Sequence, residues 1–518
     1  MSLMLLALPG YLPLTLILLA VLIAIRPQTR IAGFQKDPAT IKHVPVLRRI
    51  PALGHLFYYA RDGSSYYSRL CASTKLPIFA VWTGTAKVTL IQPELAKYLP
   101  KLKNVGLNPL ALDMFRKSLG FGEFSSALLQ EEDEASRQLG HHASRMFREE
   151  FIPGQRLRHY AEKVDGYVLS DLEKVSTDEI NIEDWVFKCL VGAVGKVIWG
   201  ASDGPFQETK FLTHLRHFLL NVRELNNPAT WFIDKNLLES RRIVRERLAQ
   251  LSSPKGESQE RRDSQEAEQG EKRGGGFLDR ICRLCQDHGS TPDGWTDYQL
   301  LLIAGLGPNI MSATTWLVYH ILNDQHLLDS IRHEIDQLGS DGNSVAIDLS
   351  EISEICPLLH ATWLEVLRFH GTFLAGRYVR EDTTLADTYH LPKGSYALAP
   401  LTPHHYDRTV WGEDVDEFKP ERFLAQDGKF DPDMKRKLRV FGLFGTICPG
   451  RFLATNMAMT LAIRLFSTFD MRPREGEEFV MPKERKDTVV GMMTPDREVV
   501  MRVMRRESAK RISMSWKS

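Results

Sequence analysis

The chain has 518 residues, 43% of them hydrophobic, with 66 basic and 65 acidic side chains for a net charge of +1. Enough apolar material is present for a large buried core, which excludes a disordered chain, and the balanced charge gives no footprint for nucleic acid. Six cysteines, at positions 71, 189, 282, 285, 356 and 448, are too few for a disulfide scaffold and fit a reducing compartment.

Residues 1–25 carry no charged side chain, and Leu14 to Ile25 is continuously apolar. A membrane span needs ~20 apolar residues, which the stretch from Met4 supplies in spite of Pro9 and Pro13. Arg26, Arg30 and Lys36 follow, and positive charge on that side places the rest of the chain in the cytosol. No small-residue cleavage site is obvious. The segment therefore reads as an uncleaved single-pass anchor (1–25), followed by a linker (26–44) and one catalytic domain (45–518). Short strands are expected near Ile78 to Ile91 and at the C-terminus of an otherwise mainly helical chain. Ser252 to Gly276 is polar, charged and almost without apolar residues, which predicts a disordered internal loop (252–276). Cys282-x-x-Cys285 is a weak redox or zinc pattern, and with no second pair after it helical burial is the simpler reading.

A long apolar helix is predicted from Thr296 to about Asn323, with Thr296 and Gln299 as a capping-box pair. Gly305, Gly307 and Pro308 are poor helix formers. Pro308 has no N–H, so the carbonyl of Ala304 loses its partner and the helix should kink. Such a kink either opens a groove along the helix or has no chemical role. Further on, Glu365 and Arg368 lie three apart in the helical run Leu358 to Phe369, on one face and able to pair. His405-x-Asp407-x-x-x-Trp411 follows, and then Phe418-Lys-Pro420-Glu-Arg422-Phe423 offers the same glutamate a second arginine. Each alone reads as a surface ion pair. The charge run Lys435-Arg-Lys437-Leu-Arg439 is either a solvated face or a docking surface. Cys448 stands in Phe441-Gly-Leu-Phe-Gly-Thr-Ile-Cys448-Pro-Gly-Arg451, on a loop running into an apolar helix. A helix start favours a thiolate, and a thiolate is a strong axial ligand for haem iron. Alone, the cysteine reads equally well as a small buried hydrophobe.

All of these motifs, in this order and spacing, resemble the cytochrome P-450 family. The resemblance runs from the proline-rich Pro45 to Gly54 to about Met504. It implies a mainly α fold with small β-sheets, the cytochrome P-450 fold, with an N-terminal transmembrane helix. It implies haem b with Cys448 as the proximal iron ligand and Phe441 packed against the sulfur. Arg377 would meet a haem propionate. Arg137 is a poorer candidate for the same role, because Asp133 replaces the tryptophan expected four residues earlier. Glu365, Arg368 and Arg422 would form a structural triad. Two departures stand out. Phe444 and Thr446 replace the usual glycine and basic residue of the haem loop, with Gly445 left to make the turn. Pro308-Asn309 replaces the acid–threonine pair that relays protons to dioxygen. Both departures resemble the branch of sterol 7α- and 12α-hydroxylases and prostacyclin synthase, and they make Asn309, Pro308 and Ala304 the candidate catalytic group.

The family resemblance further implies an endoplasmic reticulum enzyme, here fungal and of secondary metabolism, served by an NADPH-cytochrome P-450 reductase. The segments expected to line its pocket are Val105 to Leu128, Phe206 to Trp231, Phe373 to Ala375 and Val489 to Thr494. They are rich in Leu, Phe, Val and Met, which suggests a bulky lipophilic substrate such as a terpenoid, sterol or polyketide. The leading expectation is a monooxygenase. The alternative is a haem-thiolate isomerase or dehydratase that needs neither dioxygen nor reductase. A non-enzymatic haem carrier would want a second axial ligand, and near Asn309 only Met311 is on offer.

Overall fold

The computed structural model describes residues 42–47, 54–83, 86–102, 105–106, 116–122, 125, 134–175, 179–200, 204–226, 234–251, 276–338, 346–348, 351–442, 447–485, 491–507 and 513–515. The expected anchor (1–25), most of the linker, and loop residues 252–275 lie outside them.

The helices that position the site are, in chain order, α1 (Gly54–Asp62), α2 (Ser64–Ala72), α3 (Glu134–Phe151), α4 (Ala193–Trp199), α5 (Lys235–Ala249), α6 (Pro292–Leu306), α7 (Pro308–Asn323), α8 (Gln325–Gln337), α9 (Pro357–His370), α10 (Pro432–Lys437) and α11 (Arg451–Thr468). Their starts follow capping chemistry. Asp234 accepts from the N–H of Leu237 at 2.8 Å before α5. Pro357 opens α9, whose first free N–H groups, on Leu358 and Leu359, are taken at 2.8 and 3.1 Å by Glu334 of α8. Helices α7 and α11 are apolar nearly all round, as core helices must be, and they pack on each other and, with α9, at the centre of the molecule.

The helix expected over 296–323 begins earlier and is split. Thr291 is the N-cap, accepting from the Gly294 N–H at 3.1 Å, and Pro292 takes the first turn. Thr296 and Gln299 therefore form no capping box. Thr296 Oγ1 donates to the carbonyl of Pro292 at 3.1 Å, while Gln299 accepts from Trp199 Nε1 at 3.0 Å and donates to the carbonyl of Leu248 at 3.3 Å. The missing N–H of Pro308 breaks the helix at Gly307, and α7 continues beyond it. By length and composition the run Pro292–Asn323 is apolar enough to cross a membrane, but two thirds of its most apolar stretch is buried inside the protein.

The strands are short, and those that bear on the site are β1 (Lys42–His43), β2 (Ile78–Thr83), β3 (Ala86–Ile91), β4 (Val105–Gly106), β5 (Gly371–Thr372), β6 (Leu374–Val379), β7 (Tyr389–Leu391), β8 (Tyr396–Pro400) and β9 (Gly491–Met492). The largest sheet has the order β2-β3-β8-β6-β4, with β3 and β8 parallel and the other pairs antiparallel. Strand β1 pairs with β7, so the folded unit reaches back into the segment read as a linker. Residues Phe469–Arg472, Val500–Arg505 and Glu179–Asn181 make a second sheet near the C-terminus. The ribbon β5/β9 sets Gly491 opposite Thr372 and Met492 opposite Gly371. Cys282 and Cys285 are both buried in the helix Phe277–Asp287, and the described residues hold no cluster of three or more metal-ligating side chains.

Candidate active site

The loop before α11 is closed by a 2.7 Å hydrogen bond from the Cys448 N–H to the carbonyl of Phe441. Phe441 thus shapes the loop through its backbone, and its side chain lines the same cavity as the cysteine. Gly450 caps α11, and the N–H groups of Gly450 and Arg451 reach the sulfur. Arg451 Nη1 also donates to the Cys448 carbonyl at 3.0 Å. Phe444, Gly445 and Thr446 lie outside the described residues. The helix start alone does not yield a thiolate. Burial pushes the Cys448 thiol up from its ordinary value, and this outweighs the opposing pull of the Gly450 and Arg451 N–H groups and the Arg451 charge. A cation bound at the sulfur supplies the missing stabilisation, since a metal-coordinated thiol is deprotonated outright.

Cys448 opens onto a cavity of about 670 Å³. Its far wall is the end of α6 and the start of α7, which present Gly305, Leu306, Asn309, Ile310 and Ala313. A Cβ built on Gly305 would meet nothing within 4 Å, and one on Gly450 would stay 3.9 Å from the sulfur and 4.0 Å from Leu306 Cδ2. Open space thus lies between a sulfur donor and an apolar helix wall. These residues fit haem: one sulfur ligand, N–H groups around it, and an apolar chamber on one side. Ala304 and Pro308 are not among the residues that line the cavity, whereas their neighbours Gly305 and Asn309 are.

Asn309 is more constrained than its sequence position suggests. Its Oδ1 accepts from the N–H of Met492 at 3.0 Å. That bond orients the amide and leaves the two Nδ2 hydrogens for a ligand. Gly491 has φ +109°, and a Cβ there would overlap the Asn309 amide, so glycine is required on both grounds. The other pocket segments read from sequence fare unevenly. Phe373, Gly491 and Met492 do line the cavity. Phe206 does not: it packs over Gly195, where a Cβ would overlap its ring, and against Trp199 and Phe211. Instead, Phe147 and Phe151 of α3, Tyr298 of α6 and Trp363 of α9 complete the wall. The described part of 105–128 contributes no lining residue and serves as a tie. Fully buried Asp297 of α6 accepts from the Gly122 N–H at 2.8 Å and from Ser125 Oγ at 2.9 Å, and pairs with Arg245 of α5 at 2.6 Å. Arg377, on β6, donates to the carbonyl of Gly376 at 2.8 Å and does not line the cavity. Arg137 lies on α3, and its side chain is outside what the structure describes.

Glu365, Arg368 and Arg422 meet in the core. Arg368 binds the Glu365 carboxylate through Nε at 2.7 Å and Nη2 at 2.8 Å, with both side chains fully buried. Arg422 Nε lies 3.3 Å from Oε1, which also accepts from the Lys419 N–H at 2.9 Å. Burial pushes the Glu365 carboxyl up, and the guanidinium groups and the Lys419 N–H work against it. The arginines also take up carbonyls of the chain before the cysteine loop: Arg368 Nη1 binds that of His405 at 2.8 Å, and Arg422 Nη1 that of Trp411 at 2.7 Å. Arg422 further pairs with Asp414. In the basic run, Arg436 pairs with Asp433, Lys437 Nζ is 3.1 Å from Met434 Sδ, and Arg439 donates to the Arg436 carbonyl at 2.6 Å.

The Cytochrome P450 family model matches residues 44–501. A cytochrome P450 monooxygenase, nodJ, of Hypoxylon pulicicidum is 25% identical over 496 residues, 89% of each chain. A cytochrome P450 monooxygenase of Gibberella zeae is 22% identical, over 84% of this chain and 82% of its own. A self-sufficient cytochrome P450 monooxygenase of Oidiodendron maius is 31% identical over 194 residues, 36% of this chain and 17% of the relative. With a cysteine at the mouth of an apolar chamber, a buried Glu–Arg–Arg cluster and a family match over nearly its whole length, this chain belongs to the cytochrome P450 family and is a haem-dependent monooxygenase.

Proposed function

We propose that the enzyme inserts oxygen into a bulky lipophilic molecule of the terpenoid, sterol or polyketide type, fed with electrons by an NADPH-cytochrome P450 reductase. The observation that carries this reading is Cys448 facing an apolar cavity of about 670 Å³ beneath the α6/α7 break. Haem supplies the one-electron and dioxygen chemistry when bound. Cys448 Sγ would hold its iron, and the Gly450 and Arg451 N–H groups would temper the charge on the sulfur. Arg377 and Arg137 are the candidate propionate partners. The aromatic side chains of α3 and α6 exclude water from the chamber, and Gly305 leaves room for substrate. Asn309 Nδ2 would donate to a water or to a hydroxyl of the substrate, which must itself furnish the proton, because an amide does not readily give one up. Arg436, Lys437 and Arg439 form the basic surface on which the reductase would dock. Residues 1–25 would anchor the enzyme in the endoplasmic reticulum membrane with the catalytic domain in the cytosol.

A second reading rests on Pro308-Asn309, which lacks an acid–alcohol pair. In the branch of sterol 7α/12α-hydroxylases and prostacyclin synthase, asparagine at this place accompanies isomerisation as well as hydroxylation. Product analysis on a panel of lipophilic substrates, with and without NADPH and reductase, separates the two. Conversion that requires both supports the monooxygenase reading of this site; conversion that proceeds without them replaces it with an isomerase.

A further inference from the structure

Behind the ribbon β5/β9 lies a second cavity, of about 1030 Å³. Gly371, Thr372 and Met493 face it, while Gly491 and Met492 face the chamber of Cys448. Just beyond β9, residues 494–496 pair with 483–485 as the stem of a hairpin: the Arg485 N–H meets the Thr494 carbonyl at 2.8 Å, and the Asp496 N–H the Lys483 carbonyl at 2.7 Å. His370, the last residue of α9, is tied to both strands of this hairpin. Its carbonyl accepts from the Met493 N–H at 2.9 Å. Its ring stacks on Trp316 of α7 with centroids 3.9 Å apart and planes 5° apart. Trp316 Nε1 in turn donates to the Met493 carbonyl at 2.7 Å. His370 Nδ1 lies 2.8 Å from Glu484 Oε1, and His370 Nε2 lies 2.8 Å from His320 Nε2, whose ring stacks on Phe418.

We propose that His370 and Glu484 are positioning residues for the monooxygenase: their hydrogen bond seats the hairpin stem, and thereby fixes where Gly491 and Met492 stand in the active-site wall and which substrates fit beneath them. The two histidines share one bridging hydrogen, so their tautomers are coupled. With Glu484 protonated, its O–H donates to His370 Nδ1, and His370 Nε2–H donates to His320. With Glu484 ionised, His370 Nδ1–H donates to the carboxylate, and His320 Nε2–H donates to His370.

The two states are not equally stable. Burial holds His370 neutral, down at about 3, with Arg368 adding to the effect, and pushes Glu484 up to about 7. The groups facing Glu484 are His370 and Arg368 from α9, Tyr406, its chain neighbours Lys483 and Arg485, and His320 of α7 beyond the first ring. Across the cavity stand Arg61, Asp62 and Arg69 of α1 and α2, with Asp62 paired to both arginines. A carboxyl that holds its proton more tightly when seated than in water makes protonation favour the seated hairpin. Raising the pH from about 4.5 towards about 7 therefore favours release, by up to about tenfold per pH unit for one proton, and the effect levels off above about 7.

The test uses the haem-loaded enzyme and two iron-binding probes, imidazole and a diphenyl-substituted imidazole large enough to touch Met492. The ratio of their affinities cancels what pH does at the iron. Comparison with Glu484→Gln at each pH cancels the titration of the probes. In the unmodified enzyme the large probe should lose affinity relative to imidazole, by about two- to tenfold between about pH 6 and about pH 8.5, with a midpoint near 7. Glu484→Gln, whose amide N–H donates to His370 Nδ1 at any pH, should hold the ratio flat at its acid value. His370→Phe keeps a ring on Trp316 but loses both nitrogens, and should give the low ratio at every pH. A flat ratio in the unmodified enzyme, or a Glu484→Gln variant that follows the unmodified profile, overturns the proposal.

Discussion

Gly491→Ala tests the contact between the ribbon and α7 most directly. Two terms add. The backbone at φ +109° is unfavourable for an L-residue, at roughly 1–2 kcal/mol. The new Cβ also overlaps the Asn309 amide, so either Asn309 rotates away or the ribbon retreats. Both outcomes break the 3.0 Å bond from the Met492 N–H, for about another 1 kcal/mol. Gly491→Ala should therefore destabilise the enzyme by roughly 2–3 kcal/mol. Asn309→Ala removes the same hydrogen bond and makes room for the methyl group. The double variant should then be little worse than Gly491→Ala alone, leaving a coupling energy of about 1 kcal/mol. Urea titration of the haem-loaded protein, followed by haem absorbance, measures all three variants. Strict additivity, to within ~0.3–0.5 kcal/mol, would show that the two residues do not share the contact.

Cys448→His should abolish the carbon monoxide band characteristic of thiolate-bound haem; a band that persists names another ligand. Glu365→Ala leaves the fully buried Arg368 without its counter-charge, a loss of roughly 3–5 kcal/mol, and should yield little haem-loaded protein. A stable, fully loaded Glu365→Ala variant that merely turns over slowly would give the glutamate a chemical role instead. Asn309→Ala should lower product formed per NADPH and raise peroxide release, since positioned proton donation is worth about 10²–10⁴ in rate. Unchanged coupling would confine Asn309 to holding Met492.

The sequence made legible what is encoded by neighbours. Glu365 and Arg368 share a helix turn, the cysteine loop is one short segment, and Pro308 breaks its own helix. The mainly helical cytochrome P450 fold follows from such local signals taken in order. Features that depend on partners far along the chain were not legible. Asn309 gives its acceptor to Met492, 183 residues away, and Asp297 ties down Gly122, 175 residues away. No local pattern distinguishes these from an ordinary polar helix residue. Thr296 and Gln299 show the opposite failure: a spacing that mimics a capping box belongs to side chains buried in mid-helix, four residues after the true start at Pro292. Phe147 and Phe151 occur on an amphipathic helix whose apolar face reads as ordinary core, and only the fold reveals that part of that face borders a chamber.

The ribbon of Gly371–Thr372 and Gly491–Met492 is a partition one layer thick between two chambers of about 670 and 1030 Å³. A shift of that partition would enlarge the reaction chamber at the expense of the cavity behind it. Trp316 and Tyr406 line only the rear cavity, and by the proposed seating of the hairpin they would bear on the size of molecule the enzyme accepts without touching it. Divergence of substrate range can proceed from behind the wall, leaving every side chain that faces the reacting carbon as it was.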